Sequence, residues 1–133
     1  MKIGLLSDLH AAPGALEAAL RELDREHVDA IAILGDIVGY HAEPEACVAR
    51  VRSLGAVVVA GNHDRAAVSD AEPAGFSPRA RSALAWTRRA LSDEARAFLA
   101  SLPTTARVGR ALLVHAALSP EPNDTARITS PEL

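Results

Sequence analysis

Three short apolar runs, Ile3 to Leu6, Ala30 to Leu34 and Ala56 to Ala60, punctuate the first half of the chain, and each breaks into small or polar residues. Runs of four or five apolar residues fit strands that are buried on both faces. Between them the apolar residues recur at helical spacing: Leu16, Ala19, Leu20 and Leu23 after Pro13, and Cys47, Val48, Val51 and Leu54 after Pro44. Proline is tolerated in the first turn of a helix, and Gly55 stands where a helix would stop. The order strand–helix–strand–helix–strand predicts an α/β fold: a mostly parallel sheet with flanking helices and right-handed crossovers.

The second half is less regular. The polar stretch from Arg65 to Gly75 predicts a loop. Ser77-Pro78 opens a helix through Leu84 and Leu91, and Ser92-Asp93-Glu94 opens another through Leu99, each with a capping residue in front. From Arg107 to His115, a Gly109 turn precedes the apolar run Ala111 to Val114, which predicts a hairpin or a fourth strand. From Ser119 onward Pro120, Pro122 and Pro131 interrupt the chain and no apolar period survives, so a loop is expected.

At 133 residues this is one domain, 1–133. Aromatic residues are only 3% of the chain, so the core must be built from Ala, Val, Leu and Ile. The net charge is -3 with no basic block, which gives no electrostatic basis for binding nucleic acid or a membrane surface. Cys47 is the only cysteine, so there is no internal disulfide. The first apolar run is too short for a signal peptide or a membrane span, and a cytoplasmic protein is expected.

The ends of the strands carry the chemistry. Asp8-Leu9-His10, Gly35-Asp36, Gly61-Asn62-His63-Asp64 and His115 each follow an apolar run. Ligand sites in open α/β sheets gather beyond the carboxyl ends of the strands, so four such ends all bearing metal-competent residues point to one site. Asp8 and His10 are two apart and, in an extended chain, would face the same side. A carboxylate such as Asp36 has two oxygens and can bridge two ions. Asn62 offers an amide oxygen and His115 an imidazole. A mixed set of this kind suits Mn, Fe, Zn or Ni better than calcium. Two divalent ions set against Asp8, Asp36 and a bridging hydroxide leave a positive site, which suits a phosphoryl group. His63, beside Asn62, is then a candidate acid for the leaving oxygen, and Asp64 a candidate to orient its ring.

These motifs resemble those of the calcineurin-like metallophosphoesterase superfamily, and most closely its small bacterial phosphodiesterase-like members. The superfamily signature is Asp-x-His, Gly-Asp, Gly-Asn-His-Asp/Glu, a later His, then Gly-His-x-His. The resemblance runs from Met1 to about Asp124. It implies a calcineurin-like sandwich, and a phosphoesterase hydrolysing a phosphomonoester or phosphodiester at a dinuclear metal centre. It places Asp8 and His10 on the first ion, Asp36 between the two, and Asn62 and His115 on the second, with His63 assisting catalysis. No Gly-His-x-His follows His115. The expectation is therefore a chain truncated relative to the family, with an incomplete second sheet. Exposed sheet surface would favour a homodimer. The alternative is a non-catalytic metal- or phosphate-binding module acting in assembly or regulation. A generic nucleotide-binding α/β domain ranks last, because no glycine-rich phosphate loop is present.

The remaining candidates have plainer expectations. His27 is expected at a helix end, His41 in an exposed loop, and Cys47 in the core. Trp86 is expected to pack, and Arg79, Arg81, Arg88 and Arg89 to form a solvated helix face.

Overall fold

The computed structural model describes residues 1–117, and the expected tail from Ser119 lies outside them. Strand β1 (Ile3–Leu6), helix α1 (Pro13–Arg25), strand β2 (Ala30–Ile33), helix α2 (Pro44–Ser53) and strand β3 (Val57–Val58) follow in turn. The three strands form a parallel sheet in the order β1-β2-β3, with Ile3 opposite Ala30 and Ala32 opposite Val57. Helices α3 (Asn62–Val68), α4 (Pro78–Ala90) and α5 (Asp93–Ser101) come next, then strands β4 (Thr105–Val108) and β5 (Ala111–Val114). The last two pair as an antiparallel hairpin about Gly109, whose φ is +57°.

Alternation along the strands separates two apolar cores. In β2, Ile31 and Ile33 face the core shared with the helices, where Leu16, Val48, Leu84 and Leu99 lie buried. Ala30 and Ala32 face a smaller core with Val59, Val108 and Leu113. Helices therefore cover one side of the parallel sheet and the hairpin covers the other. Small Ala side chains on the second face let the hairpin come close. On the helix side, a methyl at Gly4 would lie 2.7 Å from a Leu23 methyl, so α1 packs directly on the β1 backbone.

Most expected elements form where the pattern placed them. Ser77 Oγ accepts the Ala80 N–H at 3.2 Å and Ser92 Oγ accepts that of Ala95 at 3.1 Å, capping α4 and α5. Three expectations are corrected. The stretch expected as a loop from Arg65 is helical through Val68, because Ala66 and Ala67 bury themselves in the helix-side core. Arg88 is not simply solvated: its guanidinium donates to the carbonyls of Ala66, Ser69 and Ala71, holding the end of α3. Trp86 is 46% exposed, with its indole N–H donated to the Ala42 carbonyl at 3.1 Å. Cys47 is fully buried, as its apolar helix face requires.

Candidate metal centre

The loops that leave β1 and β2 are joined by main-chain hydrogen bonds. Asp8 N–H donates to Gly35 O at 3.0 Å, His10 N–H to Asp36 O at 2.9 Å and Ala11 N–H to Ile37 O at 2.8 Å. Asp8, His10, Ala11, Asp36 and Tyr40 all have positive φ, between 46° and 59°. Left-handed backbone costs a non-glycine residue roughly 1–2 kcal/mol, so five such residues in two adjoining loops are held by their surroundings. This corrects the extended geometry expected for Asp8 and His10. Their side chains converge because both backbones are left-handed.

All seven candidate residues come to this end of the sheet, and six of them line a cleft of about 700 Å3: Asp8, His10, Asp36, Asn62, His63 and His115. One ligand atom from each of Asp8, His10 and Asp36 lies within 4.8 Å of the others. His10 Nε2 stands 3.6 Å from Asp8 Oδ1 and 3.7 Å from Asp36 Oδ2. His115 Nε2 stands 3.5 Å from the same Asp36 oxygen and 3.1 Å from Asn62 Oδ1. One carboxylate oxygen thus faces two imidazoles from opposite segments of the chain.

The two imidazoles are oriented in the same way. His10 Nδ1 lies 3.0 Å from the Val38 carbonyl, and His115 Nδ1 lies 2.6 Å from the Leu34 carbonyl. A carbonyl can only accept, so each Nδ1 donates to it, and each Nε2, once it carries no proton, turns a lone pair into the cleft. Metal-binding histidines are commonly fixed by such partners. The donors present therefore fit divalent metal: two imidazole nitrogens, the Asp8 carboxylate and an amide oxygen around the shared Asp36 carboxylate.

The electrostatics agree. Burial would raise Asp36, but the hydrogen bond and charge of His115, with the His63 N–H at 2.9 Å, hold its carboxyl below the usual range. In return, Asp36 draws the His115 imidazole up to about 9, against the effect of burial. The negative potential that retains a proton there also attracts a cation.

His63 and Asp64 occupy the first turn of α3 but do different things. The His63 ring is buried between Tyr40 and Phe76, with centroids 4.8 and 4.5 Å away, and its Nδ1 has no hydrogen-bond partner among the described residues. It fits because residue 39 is glycine: a Cβ there would lie 2.5 Å from His63 Nδ1. Burial lowers the His63 pKa, while the charge of Asp36 acts the other way. The expectation that Asp64 orients this ring is corrected. Asp64 is fully buried and its carboxylate accepts from the N–H groups of Ile37 (2.8 Å), Val38 (3.2 Å) and Gly61 (2.9 Å). It clamps the β2 loop to the start of α3. Burial pushes it up to about 7, against those three donors.

Sequence reasoning passed over Tyr40 and Phe76, whose rings enclose His63. Only the position of Tyr40 four residues after Asp36 hinted at the first, and nothing local marked the second. His41 is exposed, as expected, and its Nδ1 contacts the His10 carbonyl at 2.7 Å. His27 lies just past α1 with φ of 49°, at the other end of the sheet.

A model of the calcineurin-like phosphoesterase family matches residues 1–131. An uncharacterised protein of Methanocaldococcus jannaschii is 37% identical over 101 residues, covering 76% of this chain and 42% of that protein. The crystal structure of a metallophosphoesterase from Sphaerobacter thermophilus superposes with a TM-score of 0.73 at 42% identity, covering 88% of this chain and 47% of the other. That of a hypothetical protein from Pyrococcus horikoshii OT3 superposes at 0.68 and 24% identity, covering 78% and 48%, and shares the fold. The chain spans less than half the length of each of these relatives. Among the described residues, no helix is long and apolar enough to cross a membrane.

Proposed function

The chain belongs to the calcineurin-like phosphoesterase family, and from that premise we propose that it hydrolyses a phosphomonoester or phosphodiester at a dinuclear metal centre. The observation that carries this reading is the Asp36 carboxylate, with one oxygen facing the Nε2 atoms of both His10 and His115. Asp8, His10 and Asp36 would hold one divalent ion, and Asp36, Asn62 and His115 the other. Mn, Fe, Zn and Ni all suit this donor set. When bound, paired ions supply an activated water and offset the charge developing on phosphorus.

The remaining residues bind, exclude water and move a proton. Tyr40 and Phe76 shield His63 from bulk solvent. An anionic phosphoryl group in the cleft acts on His63 in the same sense as Asp36, raising its proton affinity against the effect of burial. His63 then gives that proton to the departing oxygen. Asp64 acts as a positioning residue through the backbone that carries Asp36 and His63.

The test is metal content and turnover together. Purified protein should bind about two divalent ions, as the donor set implies, and hydrolyse bis(p-nitrophenyl) phosphate with Mn. His63→Ala should keep the metal and lose most of the rate. Metal-loaded protein no faster than this variant would overturn the catalytic reading and leave a binding module. The proposal includes the homodimer expected from the sequence: among the described residues β1 is an edge strand and its Leu5 is 54% exposed, so a second copy along it would cover apolar surface. A monodisperse monomer in light scattering at assay concentration rejects that part alone.

A further inference from the structure

Among the described residues, hollows also lie outside the metal cleft. One, of about 900 Å3, sits at the amino ends of β2 and β3 beside the Glu17–Arg50 ion pair, far from the chemistry. Another, of about 930 Å3, adjoins the metal cleft, and Tyr40 lines both.

This second groove gathers the chain's only tyrosine and only tryptophan. Its floor is small, formed by Ala11, Ala12 and Ala15, and α4 forms a wall through Ala83 and Trp86. Tyr40 is 38% exposed and Trp86 46%. The indole is fixed by its bond to Ala42, and the Arg79 guanidinium carbon lies 6.0 Å from the centre of the Tyr40 ring. Tyr40 in turn stands 4.8 Å from the ring of His10. A phosphoryl group in the metal cleft would therefore direct its ester substituent across Tyr40 into this groove.

Resting on the phosphoester reading above, we propose that the groove binds the organic part of the substrate, and that this part is a planar heteroaromatic ring, as in a nucleotide. Exposed aromatic faces stack on a base regardless of its identity, and arginine adds a cation beside the ring. An alkyl chain would desolvate Arg79, His41 and Glu43 without giving them a partner. A sugar phosphate alone would leave the exposed parts of both rings uncovered.

Trp86 is its own probe. With the full chain in magnesium buffer, adenosine 5′-monophosphate should change Trp86 fluorescence saturably and bind about tenfold or more tighter than ribose 5-phosphate in calorimetry, the order expected for one base stack. Ser82→Tyr, which crowds the groove from an exposed helix position, should weaken the nucleotide about tenfold and leave ribose 5-phosphate unchanged. Arg79→Gln should act in the same direction without crowding. Equal affinity for the two phosphates, hexyl phosphate binding as tightly as the nucleotide, or a silent Trp86 would overturn the groove. Inorganic phosphate separates the two readings. If it binds but no base preference appears, only the groove fails; if adenosine binds while inorganic phosphate does not, the groove stands and the phosphoester reading fails.

Discussion

Asp36 concentrates more of this site than any other residue. Its Oδ1 accepts the His63 N–H at 2.9 Å, while its Oδ2 faces His10 and His115. Asp36→Asn keeps the shape and removes the charge that both imidazoles share. Divalent-metal affinity should fall by about 100-fold or more, beyond what loss of an outer partner costs, with the circular dichroism unchanged. Cys47 shows the opposite case, a reactive atom made inert by position. Burial pushes its thiol up to about 11 from an ordinary value of 9.0. The native state therefore holds the proton more tightly than the unfolded one. That contribution to stability is complete below pH 9.0 and is lost as pH rises through about 11. Iodoacetamide should accordingly label Cys47 at mildly alkaline pH only at the rate of opening, and instantly in urea. The residue types at the site were legible because each sits where an apolar run ends. The role of Asp64 was not, because two of its three partners are backbone amides 26 and 27 positions away.

The elements explain why glycine precedes the two residues that close the site. A Cβ on Gly61 would lie 2.1 Å from Asp36 Oδ1 and 2.3 Å from Asp36 N. Gly61→Ala must push α3 off the β2 loop. Overpacking of this kind costs about 1–3 kcal/mol, read as a lower urea midpoint, and the displaced Asp36 should weaken metal as well. Gly14 offers the control, since nothing lies within 4 Å of a Cβ built there. Gly14→Ala in α1 should be neutral or stabilise by about 0.5–1 kcal/mol. Strands and capped helices followed from period and from Ser77 and Ser92. Helix α3 did not, since Asn62–Val68 has too few apolar residues to show a helical stripe. Packing of Ala66 and Ala67 and the capping of its end by Arg88 decided it.

Across the whole molecule, the proposed ligands come from four separate segments: the β1 loop, the β2 loop, the start of α3 and the end of β5. Such a set exists only in the folded chain, so metal should stabilise the fold directly. A metal held at 100 times its dissociation constant adds about 2.7 kcal/mol, which for a domain of this size raises the melting temperature by on the order of 10 °C. Excess chelator should reverse the shift, and Asp36→Asn should not show it; an equal shift in that variant would place the metal elsewhere. The sequence by itself determined the α/β order and the ligand types, because strand period and the residue after each strand are local properties. Tertiary structure alone decided three things: the left-handed turns that aim Asp8 and His10, the enclosure of His63 by Tyr40 and Phe76, and the groove beside Trp86. Each depends on contacts between segments distant along the chain, such as Trp86 with Ala42 and Asp8 with Gly35. No local pattern encodes such contacts, because the free energy that fixes them comes from burial and hydrogen bonding that arise only when those segments meet.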